Sequence, residues 1–152
     1  MAKMKIVLFY DEEGILGKLT KFFTGSYCYH IGFLDEVNHR LYDMHLIRRR
    51  RSWYDCGGKK VEVVKSPVYI SSEYMEKMLD TDNNTYGFTD YLLFSLRWVY
   101  HLFGKSTPNA HGVICSELVY NDLKANGWDY TFTEVPSPAD FERVLLKENK
   151  GA

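Results

Sequence analysis

Cys115 stands in the stretch Gly112-Val113-Ile114-Cys115-Ser116-Glu117-Leu118-Val119-Tyr120, between a loop and a helical pattern. The loop, 106–112, is rich in Ser, Pro, Asn and Gly. After it Leu118, Val119 and Leu123 recur at helical spacing, with Asn121, Asp122 and Lys124 between them. Asn126-Gly127 is a stop of the kind that closes a helix in a left-handed turn. A thiol at a helix start feels the positive end of the peptide dipoles, which favours the thiolate, the nucleophilic form. The unpaired N–H groups of the first turn could receive a developing oxyanion. The plain alternative is that Cys115 is a small buried hydrophobe, the usual fate of a free cysteine.

A nucleophilic thiol needs a base. Tyr27-Cys28-Tyr29-His30-Ile31-Gly32-Phe33-Leu34 reads as a strand that starts at a histidine and runs into the core. A polar turn, 35–40, follows, and Leu41 to Ile47 returns as the second arm of a hairpin. On that arm Asp43 and His45 share one face, and Tyr42 and Met44 the other. A thiolate–imidazole pair is improved by a third polar group that fixes the ring and its tautomer. Asp43 and His45 are both of suitable type, and an ordinary strand-edge carboxylate is the competing reading of Asp43.

Upstream of His30, Leu16, Leu19, Phe22 and Phe23 form a short helical stripe broken at Thr24-Gly25-Ser26. The order is then helix, Thr-Gly-Ser, aromatic, His-Ile-Gly-Phe, and much later Ile-Cys-Ser-Glu-Leu-Val. This order resembles the circularly permuted branch of the NlpC/P60 superfamily, bacterial and phage thiol hydrolases with a papain-like core. Tyr29-His30-Ile31-Gly32 and Ile114-Cys115-Ser116-Glu117-Leu118 together carry the resemblance, and Tyr-Gly-Phe-Thr-Asp-Tyr-Leu at 86–92 is also similar. It implies an α+β, papain-like fold in which an antiparallel sheet packs against the helix bearing the cysteine. It implies one domain over 1–152, with Cys115 as nucleophile and His30 as base. The third residue falls on the strand after the histidine strand, at Asp43, with His45 the alternative. The bond cleaved would be an amide (a peptide, including the peptidoglycan type), an ester or a thioester, with no cofactor and no metal. A lipid-directed acyltransferase or phospholipase of the lecithin–retinol acyltransferase group is a rival, since that group also places His before Cys. Its cysteine motif runs Asn-Cys-Glu-His-Phe, unlike Ile114 to Leu118 here. The rival from another class is a non-catalytic binding protein that keeps the fold.

The totals agree with a modest globular enzyme. A length of 152 residues suits a single core, and a net charge of −1 argues against a polyanion-binding surface, so no nucleic-acid partner is expected. Twelve Tyr and nine Phe suggest a partly wet groove as well as a core. Arg48-Arg49-Arg50-Arg51, beside Trp53, is open to three readings: a solvated strand end, a phosphate grip, or a substrate-binding rim. On the rim reading Arg48, Arg50, Trp53 and Tyr29 contact a peptide or acyl-type substrate. Three cysteines at wide spacing do not make a disulfide framework and suit a reducing compartment. Met1 to Lys5 lacks a secretory or lipoprotein pattern, so a cytoplasmic location is expected. Cys28-x-His30 and His111-x-x-x-Cys115 lack the paired spacing of zinc sites.

The remaining elements frame these residues. Ile6 to Tyr10, Val61 to Val64 and Val68 to Ile70 read as strands. Ser71 or Ser72 caps a helix with Tyr74, Met75, Met78 and Leu79 on its apolar side. Asp80 to Asn84 fails as a calcium loop because its ligand spacing is wrong. The segment 86–103 is apolar almost all round and reads as a central helix; Asp90, Arg97 and His101 interrupt it as a membrane span. Trp128 to Val135 is expected to be extended. Ser137-Pro138-Ala139-Asp140 signals a last helix, and 147–152 a frayed tail.

Overall fold

A computed structural model describes residues 3–11, 18, 21–22, 24–44, 47–81, 102–104 and 115–151. Its centre is β1, Lys5–Tyr10, whose middle residues are all buried. Both faces of this strand are covered, which is why its sequence is a continuous apolar run and not an alternation. Ile6 and Leu8 enter the main core, while Val7 and Phe9 enter a smaller cluster on the opposite face.

β1 pairs antiparallel with β2, Cys28–Asp35, on one side. On its other side it pairs antiparallel with β5, Lys60–Lys65. β2 continues through a turn into β3, Arg40–Met44, which pairs with β4, Arg48–Ser52. The five-stranded antiparallel sheet has the order β4-β3-β2-β1-β5. Asp35 closes the β2–β3 turn by accepting from the N–H groups of Val37 and Asn38, both at 3.1 Å. A short 3₁₀ turn, Trp53–Cys56, leads from β4 toward β5. With three helices of ten or more residues, the described chain is an α+β structure.

The helices are α1, Ser72–Thr81, α2, Cys115–Ala125, and α3, Pro138–Lys150. α2 and α3 lie across β2, and α1 reaches β4. The main core forms between them, from Ile31, Phe33, Tyr42 and Met44 of the sheet against Met75, Leu118, Val119, Leu123, Phe141 and Leu145. Ser71 caps α1 by accepting from the Tyr74 N–H at 3.1 Å. α3 starts with a full capping box: the Ser137 hydroxyl accepts from the Asp140 N–H, and Asp140 accepts from the Ser137 N–H. α2 ends as its Asn126-Gly127 signal requires, with Gly127 at φ 94°.

Several expectations are corrected. Val68 to Ile70 is not a strand; after Pro67 the Val68 carbonyl accepts from the Ser66 hydroxyl at 2.7 Å and the Ile70 carbonyl from the Met4 N–H at 3.2 Å. Trp128 to Val135 is irregular, held by ring contacts of Trp128, Tyr130 and Phe132 with one another and with Phe141. Much of the aromatic content therefore ties α2 to α3. The expected frayed tail from Lys147 is helical to Lys150. The stripe at 16–23 is described only at Lys18, Lys21 and Phe22, and Phe22 is exposed. The apolar helix expected over 86–103 lies outside the described residues except at Leu102 and Phe103, both exposed.

The arginine run is not a solvated strand end. It is β4, and period two splits it between the two faces of the sheet. Arg48 turns into the core and makes a forked ion pair with Asp122 of α2, at 2.7 and 3.1 Å. The Tyr74 hydroxyl donates to the same carboxylate. Arg50 meets Glu76 of α1 at 2.7 Å, where the Tyr42 hydroxyl also donates, again at 2.7 Å.

Candidate active site

β2 carries a bulge where the histidine sits. Phe9 pairs with His30 but Tyr10 pairs with Cys28, so Tyr29 is an extra residue on β2. An added residue bends the strand and re-aims the side chains beside it. As a result Cys28 and Ile31 both enter the main core, while Tyr29 is exposed and His30 is half-buried at the end of the sheet.

Cys115 is the first residue of α2, and α2 lies across β2. Helix start and strand bulge therefore bring together residues 115 and 30. The His30 Nε2 hydrogen-bonds Asp43 Oδ2 at 2.9 Å, which leaves Nδ1 for another partner. Cys115 lies close enough to the ring to raise the basicity of the imidazole. The structure thus brings Cys115 and Asp43 both next to His30. Ser116, fully buried beside Cys115, has a hydroxyl with no hydrogen-bond partner among the described residues. His45, the alternative to Asp43, lies outside the described residues.

Asp43 is completely buried and heavily used. Besides His30 it accepts from Arg49 Nε at 2.6 Å, Arg49 Nη2 at 3.2 Å and Arg51 Nη2 at 2.8 Å. Burial pushes its carboxyl up, but the bonds from His30 and Arg49 and the nearby charges of His30 and Arg51 hold it well below the usual carboxylate range. Burial works against a charged imidazole at His30; hydrogen bonding to Asp43 and Cys115 outweighs it and raises the ring from 6.5 to about 9.

These shifts predict a pH dependence of stability. His30 has a folded value above its unfolded one, so its contribution is complete below about pH 6.5 and is lost as the pH rises through about 9. Asp43 has the opposite sign: its contribution is present above the ordinary carboxylate value of about 3.9 and is lost as the pH falls below it. Urea midpoints measured from pH 6.5 to 9 should fall in the wild type and fall less in His30→Gln. Equal slopes in the two proteins would show that His30 is not held as its geometry requires.

Gly32 has a steric reason to be glycine. A Cβ there would stand 2.9 Å from the Tyr42 carbonyl oxygen and 3.1 Å from the Asp43 Cβ. The first contact is with backbone, which cannot rotate away, so β2 and β3 would part beside Asp43. Gly32→Ala should cost about 2 kcal/mol of stability, the usual range for overpacking, and should weaken the His30–Asp43 bond. Unchanged stability by urea denaturation would contradict this close approach.

The expected substrate contacts separate. Tyr29 is exposed, with its ring stacked toward His30 at a centroid distance of 6.3 Å. Trp53 is half-buried against the cluster that contains Phe9, Leu34 and Leu41. Arg48 is 6% exposed and committed to Asp122, so it does not stand on a rim. Arg50 is bound to Glu76 on the helix-covered face, opposite the face where Asp43 meets Arg49. Arg49 and Arg51, the run's true contribution to the site, were not singled out by sequence; a period-two reading of the run beside Asp43 was the available signal. All three cysteines are free thiols, and burial pushes Cys28 well above an ordinary thiol. Among the described residues no group of His, Cys, Asp and Glu could hold a metal ion, and no helix is long and apolar enough to cross a membrane.

No family model, curated protein or solved structure matches the chain.

Proposed function

We propose that this protein is a thiol hydrolase with a papain-like arrangement, permuted so that the histidine strand precedes the cysteine helix. The observation that supports the reading is that His30 has Asp43 and Cys115 as neighbours, with the thiol at the first residue of a helix and Nε2 of the ring held at 2.9 Å by a buried carboxylate. Three polar groups in that order supply what acyl transfer needs: nucleophile, base and orienter. His30, whose raised basicity keeps it protonated at neutral pH, holds the thiol proton as an imidazolium while the Cys115 sulfur attacks a carbonyl carbon as the thiolate. The tetrahedral intermediate collapses, and the leaving amine, alcohol or thiol departs with the proton from His30. Water, activated by His30, then cleaves the acyl–thioester and restores the thiol. Asp43 holds the ring in one tautomer throughout, and the N–H groups of the first turn of α2 are donors for the oxyanion. The substrate class is an amide, ester or thioester.

Trapping tests the reading. A panel of activated acyl esters, acyl thioesters and peptide anilides is incubated with the protein, quenched in acid and weighed by mass spectrometry. The expected result is an acyl adduct on the Cys115 peptide, absent in Cys115→Ala. Turnover that survives in Cys115→Ala without an adduct would overturn it.

A further inference from the structure

A carboxylate that only orients a histidine needs one bond to the ring. Asp43 accepts three further hydrogen bonds, all from guanidinium groups. The register explains how they arrive: β4 runs antiparallel to β3, with Asp43 opposite Arg49 and Leu41 opposite Arg51. Both arginines stand on the same face as Asp43, two residues apart. Arg49 forks onto both carboxylate oxygens. Arg51 spends its Nη2 on Asp43 while its buried Nε makes no hydrogen bond among the described residues. Its guanidinium lies 5.9 Å from the centre of the Phe9 ring, and Phe9 packs on His30 at 5.4 Å. Arg51 is therefore held in place at the cost of an unsatisfied donor, and what it gains is Asp43.

We propose that Arg49 and Arg51 are positioning residues that set the protonation of the Cys115–His30 couple by sharing the charge of Asp43. The inference rests on the thiol-hydrolase reading only for its catalytic consequence. With one carboxylate against two guanidiniums, the cluster carries a net charge of +1 when Cys115 and His30 are neutral. Protonating His30 alone adds a third cation around one anion. Moving the proton from Cys115 to His30 leaves the total at +1. The arginines thus oppose an imidazolium beside a neutral thiol and oppose it less beside a thiolate. The other titratable groups around His30 and the arginines among the described residues include Cys28 and Tyr29 of β2, Glu142 beside Cys28, Asp11 beside Tyr29, and Cys56 near Arg49. None of them is a cation that could replace the pair.

Removing a positive charge favours the protonated form of every neighbour. Arg51→Gln and Arg49→Gln should therefore move both the thiol and the imidazole ionisations to higher pH, by about one unit, the low end for a neighbouring charge. Arg51→Lys keeps the charge and should leave both in place. Two measurements read this: the pH profile of Cys115 carboxymethylation by iodoacetamide, followed on its tryptic peptide, and the titration of the His30 ring protons by NMR. About a tenfold slower alkylation on the acid limb in either Gln variant, with Arg51→Lys close to wild type, is the expected result. Profiles that keep their midpoints and lose only amplitude would show a merely structural clamp and overturn the proposal. If the protein hydrolyses nothing yet the His30 midpoint still moves, the hydrolase reading fails and the arginine role stands.

Discussion

Cys115→Ala should reduce turnover to below about one per cent of wild type, because no other described thiol faces His30 from a helix start. The fold should survive. The side chain is small, and alanine is a good helix former at the start of α2, so a loss of about 1 kcal/mol is the expected cost. A cooperative urea transition with an unchanged slope checks the fold, and residual hydrolysis checks the chemistry. Retained activity above about one per cent would remove the nucleophile from the account, whatever the state of the fold.

Asp43→Asn should hurt both chemistry and stability. An amide can offer His30 an acceptor or a donor, but not a negative charge, so the imidazolium loses its partner and the ring its fixed tautomer. A loss of at least about a hundredfold in kcat is expected from general acid–base catalysis alone. The same change strips Arg49 and Arg51 of their carboxylate. Asp43 is fully buried, whereas the Arg49 side chain is 36% exposed and can recruit water. A destabilisation of about 3 kcal/mol, the low end for breaking a buried ion pair, follows. Stability and kcat are separable here: assays below the unfolding midpoint read the tautomer, and denaturation reads the stranded guanidiniums. A variant as stable as wild type would mean that the arginine clamp on Asp43 contributes nothing.

The pieces of this site that were legible in the sequence are those governed by local rules. The Ser137 capping box, the Ser71 cap and the Gly127 stop depend on residues a few positions apart, and each was readable. β1 and β2 followed from their apolar runs. The candidate trio combined two local signals, a cysteine before a helical pattern and a histidine at a strand start, with the family resemblance that put Asp43 beside them. What escaped was set by pairing across the sheet. Whether Arg49 meets a carboxylate depends on the β3–β4 register, which no single strand specifies. The bulge at Tyr29 was equally hidden, because it exists only relative to β1. Arg48 was misread for the same reason: its partner Asp122 lies 74 positions away on α2, so the buried pair left no mark near the run. The close approach that demands Gly32 is a contact with β3, and the motif around it gave the residue without the cause.

The central claim is that Cys115 is activated by His30, and differential alkylation tests it most directly. Wild type and His30→Gln are treated with limiting iodoacetamide at neutral pH, and modification of Cys28, Cys56 and Cys115 is followed on their separate peptides. All three thiols are buried to a similar degree, at 1%, 5% and 7% exposure, so accessibility alone would not rank them far apart. The account predicts that Cys115 reacts at least about tenfold faster than the other two in the wild type, and that His30→Gln removes most of that advantage. Equal rates at the three cysteines, or a Cys115 rate indifferent to His30, would contradict it.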